Sequence, residues 1–271
     1  MAKNLARFIK KIALALFYIS VYFAFLYILS EQVRLMEEDA ENYREIVTIL
    51  AALASMAIYL VVLYLRDIRL KSYVKFKSVT LVDAVLALTM ALGFRTLTGA
   101  YLMWSEESVP LLQQSIENAQ RSYNFNTMTT VCAVSVVLSV CVVAPFFEEF
   151  LFRGMVMKEL SGAMPGFFAV LLQALLFGLA HTALVQAVFS AVYAVILGAV
   201  YLKSKNISVV ILSHMFFNMS SALEIKNADM VPEMFVSGLV LTGVSVWFFF
   251  YIYGRKKPAQ TGKITGGNND V

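Results

Sequence analysis

The chain has 271 residues, 60% of them hydrophobic and 15% charged, and a formal net charge of +4. Soluble domains run at about 45–50% apolar and 25% charged residues, so the composition reads as an integral membrane protein with no room for a separate soluble domain. The small positive charge reports loop topology, not nucleic-acid binding.

Lys3, Arg7, Lys10 and Lys11 precede an apolar run over 12–29. No small-residue cleavage site follows it, so the run predicts a first membrane helix entering from the cytoplasm, not a signal peptide. An acidic segment with Glu31, Glu37, Glu38, Asp39, Glu41 and Glu45 leads to a second helix over 46–65, and a basic stretch from Arg66 to Lys77 follows. A third helix is predicted over 81–104. The loop 105–126 is the longest, and its Leu111, Leu112 and Ile116 predict a short amphipathic helix on the membrane surface. The fourth helix, 127–160, is long for a span of about 20 residues, and Pro145 is expected to bend it. Helices five to eight are predicted over 165–181, 184–202, 207–223 and 234–253, and the tail 258–271 reads as disordered. The expected fold is therefore all-α, a polytopic membrane bundle of about eight transmembrane helices.

An even number of spans puts both termini on one side. Basic residues then fall in every inner segment and acidic ones mostly outside, which predicts a multi-pass cell-membrane protein with both termini cytoplasmic. No inverted internal repeat is present, which argues against a transporter. Cys132 and Cys141 lie in one apolar run without zinc-ligand spacing and read as small buried hydrophobes. Arg95 is expected to snorkel to the outer face, with a role facing the cavity as the alternative, and Asp83 to be interfacial. Gly243 and the small residues of helix six, Ala187, Ser190, Ala191, Ala194, Gly198 and Ala199, read as close-packing positions.

The fourth helix carries Phe146-Phe147-Glu148-Glu149-Phe150-Leu151-Phe152-Arg153, three charges inside an apolar run. Each charge near the bilayer centre costs roughly 2.5–3.5 kcal/mol on insertion scales, so the group needs a reason. Residues four apart share a helix face. Arg153 is thus placed to neutralise Glu149, while Glu148, about 100° around the helix, is left to face a cavity. The chain has two histidines, both at or in predicted spans. His181 ends Phe177-Gly-Leu-Ala-His181, with Gln173 earlier on the same face. His214 opens His214-Met-Phe-Phe-Asn218. A carboxylate and an imidazole can position and deprotonate a water, and a second imidazole with a carboxamide can donate to an oxyanion. That describes acyl-bond hydrolysis by activated water. Two glutamates and two histidines are also a plausible set for a divalent metal, although His-Glu-x-x-His is absent. Counted from the inner helix ends at 1.5 Å per residue, Glu148 and His181 lie at compatible depths. His214 comes out roughly half as deep, which calls for a tilt, a kink or a shifted boundary.

These three motifs resemble those of the CPBP family, the type II CAAX prenyl endopeptidases and the bacterial bacteriocin-processing or Abi proteins. That family is marked by Glu-Glu-x-x-x-Arg, Phe-x-x-x-His and His-x-x-x-Asn on successive membrane helices. The likeness covers about 131–223, and the first 125 residues carry none. The resemblance implies a glutamate-type intramembrane endopeptidase without an obligatory cofactor, a divalent metal being the older alternative. It implies that Glu148 activates water, that His181 positions it, and that His214 and Asn218 form the oxyanion hole. Glu149 and Arg153 would support the site. The predicted spans then divide the chain into an N-terminal three-helix membrane region over 1–126, a membrane core over 127–257 that the resemblance makes catalytic, and a disordered cytoplasmic tail over 258–271. The expected partners are a peptide or protein substrate at the membrane and the lipid bilayer. The expected role is peptide or bacteriocin processing or self-immunity. The alternative is a non-catalytic scaffold or immunity protein that binds a partner membrane protein.

Overall fold

The computed structural model describes residues 2–35, 40–121, 130–181, 183–220 and 230–255. The predicted disordered tail, most of the acidic segment 37–41 and most of the outer loop 224–233 lie outside the described residues, as does the side chain of Cys132. Every described element is helical: α1 (Ala2–Leu35), α2 (Ala40–Leu65), α3 (Leu70–Tyr73), α4 (Leu81–Ser108) and α5 (Pro110–Arg121), then α6 (Thr130–Leu138), α7 (Ala144–Glu149) and α8 (Met157–Leu160), then α9 (Gly166–Leu179), α10 (Leu184–Ser204), α11 (Ile207–Ser220) and α12 (Val231–Arg255). Two π-helical stretches, Ser139–Val143 and Phe150–Val156, join α6, α7 and α8 into one continuous rod.

Among the described residues six helical segments are long and apolar enough to span a membrane: 4–35, 43–65, 81–108, 133–160, 184–204 and 231–255. The chain is thus a multi-pass membrane protein. The other two expected spans, α9 and α11, have 14 residues each. They rise only about 21 Å, against a hydrocarbon core of about 30 Å. These short helices deliver both histidines.

α12 shows how the bundle packs. Its buried residues, Met234, Gly238, Thr242, Ser245 and Phe249, recur every three or four positions and face α4. Leu239, Val240, Val244 and Trp247 are exposed on the other side. This is the arrangement of a lipid-facing helix, with small and polar residues inward and large apolar ones outward. A Cβ on Gly93 would lie 2.7 Å from the Thr242 backbone nitrogen, and one on Gly238 would lie 2.8 Å from that of Leu97. Only glycines permit so close a crossing. The Ser245 hydroxyl adds an interhelical bond to Thr89, 2.8 Å. Gly243, by contrast, has nothing within 4 Å of its Cβ position and faces outward, so it is no packing site. On α10 the packing role holds: a Cβ on Gly178 would meet the Ala187 carbonyl oxygen at 2.7 Å and Ala191 at 2.8 Å, and Ala194 is fully buried.

The amphipathic segment does form, as α5, but Leu112 and Ile116 are buried against Val185, Tyr101 and Leu102 while Leu111 is exposed. Its apolar face is therefore largely covered by protein, not lipid. Asp83, at the start of α4, is buried within the protein. It closes a capping box with Thr80 at the start of α4 and accepts from the Tyr253 hydroxyl at 2.9 Å. Arg95 does not snorkel to water. It donates to the Ser220 carbonyl, 3.3 Å, at the C-terminal end of α11, where a cation meets the negative end of the helix dipole.

Candidate active site

The centre of the site is built on the rod 130–160. In its first π stretch the Ala144 N–H reaches the Ser139 carbonyl, five residues back. The next bond in that register would run from residue 145 to Val140, but residue 145 is proline and has no N–H. The Val140 carbonyl is left without its helical donor, and the Asn218 amide supplies one from α11 at 2.7 Å. A backbone defect thus becomes the joint that holds α11 against the rod.

Farther along the rod, Arg153 donates to Glu149 Oε1 at 2.8 Å, and both side chains are fully buried. Arg153 also donates to the Ala194 carbonyl of α10, 3.3 Å, and its guanidinium lies 4.9 Å from the Phe177 ring centre on α9. Gln173 of α9 donates to the same Ala194 carbonyl, 3.1 Å. One buried cation therefore ties three helices together, as burial of a charge requires.

His214 Nδ1 lies 2.8 Å from Glu149 Oε1. A carboxylate already paired with arginine is an acceptor, so Nδ1 carries the proton. The ring is thereby turned to face Glu148 with its other edge, Nε2 to Oε2 at 3.8 Å. Glu148 is partly open, its side chain 23% exposed, whereas Glu149 is sealed. Tyr193 of α10 stands edge-on to the His214 ring at 6.3 Å, and its hydroxyl bonds Ser213, whose own hydroxyl reaches the Ala87 carbonyl of α4 at 3.0 Å.

His181 sits just beyond the end of α9, with Nδ1 2.9 Å from the Phe177 carbonyl. Nδ1 is therefore the donor, and Nε2 is left as the acceptor. No hydrogen bond or ion pair joins His181 to Glu148 among the described residues. The link between the histidines is Phe177, whose ring lies 5.0 Å from His181 and 6.0 Å from His214. Phe177 thus touches both imidazoles and the guanidinium, and in the sequence it is only the first letter of a motif.

The structure accordingly brings Glu148, Glu149, Arg153 and His214 into direct contact. It places His181 across Phe177 from His214, and it sets Asn218 one turn along α11 on the Val140 carbonyl. The depth mismatch of His214 resolves at the foot of α11. Asn206 and Ile207 are buried, and Lys75, Lys77 and Ser78 bond them from below, so α11 starts inside the protein. Among the described residues no three His, Cys, Asp or Glu side chains converge as a metal set.

Sequence reasoning missed two neighbours from the N-terminal helices. Tyr22 of α1 packs on Phe147 at 4.7 Å, next to Glu148 in the chain, and Glu45 of α2 is itself buried. Nothing local in α1 or α2 signals that they wall the site.

Neither a curated protein nor a solved structure matches the chain. Residues 130–220 match the family model for type II CAAX prenyl endopeptidase Rce1-like proteins, a stretch that begins with α6, ends with α11 and holds all six residues singled out above. Residues 130–220, about a third of the chain, are therefore similar to the Rce1-like type II CAAX prenyl endopeptidase (CPBP) domain.

Proposed function

We propose that the chain hydrolyses a peptide bond of a membrane-associated peptide or protein with a water activated by Glu148. The observation that carries this reading is the His214 ring held by Glu149 through Nδ1 while its Nε2 edge faces the Glu148 carboxylate at 3.8 Å. That separation is too long for a direct hydrogen bond, and a water about 2.8 Å from each atom would bridge it. In the reaction, Glu148 takes a proton from the water as its oxygen attacks the carbonyl carbon, and returns that proton to the amine as the C–N bond breaks. His181 positions the water through Nε2. His214 and Asn218 stabilise the oxyanion, which requires His214 to carry its second proton at Nε2 and act as an imidazolium backed by Glu149. Glu149 and Arg153 hold this geometry without entering the bond changes.

In this reading residues 127–257 form the catalytic core and 1–126 its N-terminal wall, with both termini cytoplasmic. A bacteriocin- or peptide-processing role, or self-immunity, fits the plain organisation of the chain. The test is cleavage of unmodified and prenylated peptides by reconstituted protein, with Glu148→Gln and His181→Ala at matched membrane levels. Each should lose about 10²–10⁴-fold in rate, and a chelator should leave the wild type unchanged. Full cleavage by both variants sinks the proposal. Biological function retained by all motif variants would instead favour a non-catalytic role in binding a partner membrane protein, and chelator sensitivity would bring back the metal.

A further inference from the structure

The rod and its partners do not account for a polar cavity at the end of the bundle opposite α5. It measures about 350 Å³ and opens between the start of α4, the end of α10, the foot of α11 and the end of α12. That is the small end of the range for ligand sites, enough for a headgroup but not a whole lipid. Two ammonium groups line it, from Lys77 and Lys203, together with the hydroxyls of Ser78, Thr80, Ser204 and Tyr253, the amide of Asn206 and one carboxylate, Asp83.

The charges around it do not balance. Lys77 donates to the Ser204 carbonyl at 3.0 Å, but Lys203 has no hydrogen bond or ion pair among the described residues. Lys75, Lys158 and Lys205 crowd the same end. The Lys205 ammonium is held below its usual range by burial and by the neighbouring Lys158, Lys75 and Lys77. Two carboxylates are near, and both are occupied. Asp83 accepts from Thr80 and Tyr253, and Glu159 accepts from Lys11, Arg66 and Tyr73. Two lysines therefore line the opening against one carboxylate, Asp83, and Lys75, Lys158 and Lys205 near Lys77 add to the positive charge of this end.

The surroundings indicate the source of such an anion. Beside the cavity Leu81, Val82 and Val85 on α4 and Phe250 and Tyr251 on α12 are exposed apolar side chains within two predicted spans. A basic pocket between helices, at the membrane surface and flanked by an apolar wall, suits a lipid headgroup with its acyl chains alongside. We propose that this cavity binds a phosphate group, presented by an anionic phospholipid whose acyl chains lie along α4 and α12.

The test uses the full-length protein in detergent. Retention of phosphatidylglycerol against phosphatidylcholine is read by native mass spectrometry for wild type, Lys203→Ala and Lys203→Glu. The control removes two exposed charges of the same end, Arg69→Ala with Lys71→Ala. Lys203→Ala should lower phosphatidylglycerol retention roughly five-fold, Lys203→Glu more, and the control pair little. Because Lys203 makes no bond in the fold, the melting temperature without lipid should not change. A second arm measures thermal shift with inorganic phosphate and with glycerol 3-phosphate. A shift there that Lys203→Ala abolishes, without discrimination between the lipids, would keep the phosphate site and overturn the lipid source. Equal loss in the control pair, or no loss in either Lys203 variant, would overturn the site.

Discussion

Two buried carboxylates stand ten positions apart on one rod, Glu149 and Glu159, and both are fully sealed from solvent. Their surroundings differ in origin. Glu149 finds Arg153 four residues away on its own helix and one imidazole from α11. Glu159 has no partner nearby in sequence. Lys11 comes from α1 at 2.5 Å, Arg66 from beyond α2 at 2.6 Å, and Tyr73 from α3. They also differ in completeness. Both oxygens of Glu159 are bonded, whereas Glu149 Oε2, Arg153 Nε and Gln173 Oε1 are buried without a partner. Buried polar groups are nearly always satisfied, so a cluster of three exceptions marks where the fold has kept polar capacity in reserve. The saturated site clamps the N-terminal helix pair to the core. The unsaturated one is built for something to happen next to it.

The sharpest way to break that contrast is Arg153→Ala. Removing the cation strands a carboxylate in a dry site, and the expected loss is about 3–5 kcal/mol of stability, seen as a collapse of the melting transition and of protein level in the membrane. If Arg153→Ala melts with the wild type, the central pair is not holding the helices.

Glu159→Gln should cost less, roughly 1–3 kcal/mol, because an amide keeps the hydrogen bond from Tyr73 while Lys11 and Arg66 lose their counter-charge. Cleavage per folded molecule should stay within about two-fold, since no reacting group is touched. A large drop in turnover at normal stability would erase the distinction between clamp and site. The clamp's own titration is remote from neutrality. Burial and then the Glu159 hydrogen bond raise the Tyr73 phenol, and that bond raises the Arg66 guanidinium against its burial. Both groups are raised above their unfolded values, so their stabilisation is complete below those values. It is lost only as pH climbs beyond about 10 for the phenol and higher still for the guanidinium. A melting temperature that fell between pH 7 and 9 in the wild type, but not in Tyr73→Phe, would contradict this.

Asn218→Ala should cost about 1–3 kcal/mol, the penalty of a buried carbonyl left without a donor. Turnover should also fall, because α11 carries His214 one turn away. Asn218→Ser, which keeps a donor, separates the two effects by differential recovery of melting temperature and rate. The smallest effect is expected at Lys205, in left-handed backbone at φ 50°. Lys205→Gly removes that strain and should stabilise by about 1 kcal/mol, measurable as a small rise in melting temperature.

The sequence shows some of this plainly. Eight apolar segments and their charge asymmetry are visible because each is a local property, and so is the Glu149–Arg153 spacing. What stayed hidden depends on distant neighbours. Lys11 and Arg66 read as ordinary inner-loop cations, and nothing near them names Glu159. Tyr22 and Glu45 look like any polar residue of a first helix pair. The short reach of α9 was concealed because its apolar run continues into Ala180 and His181, which lie beyond the helix end at Leu179. The level of α11 could not be counted from its own residues, since 74–80 lies beneath its foot. Phe177 was in view throughout, but its contact with three polar side chains exists only once α9 meets the rod.

The proline-backed turn at 139–143 also sets a rotational phase. Each π turn holds one residue more than an α turn would, which advances everything after it by about 100° around the axis. The azimuth of Glu148 is therefore decided upstream of it, by a surplus residue that Pro145 makes hard to iron out and that Asn218 pins in place. Deleting one residue from 139–143 would alter no charge and remove no side chain of the centre, yet it would swing either α6 or the carboxylates by a quarter turn. The rod works as a crankshaft whose throw is fixed by one missing N–H.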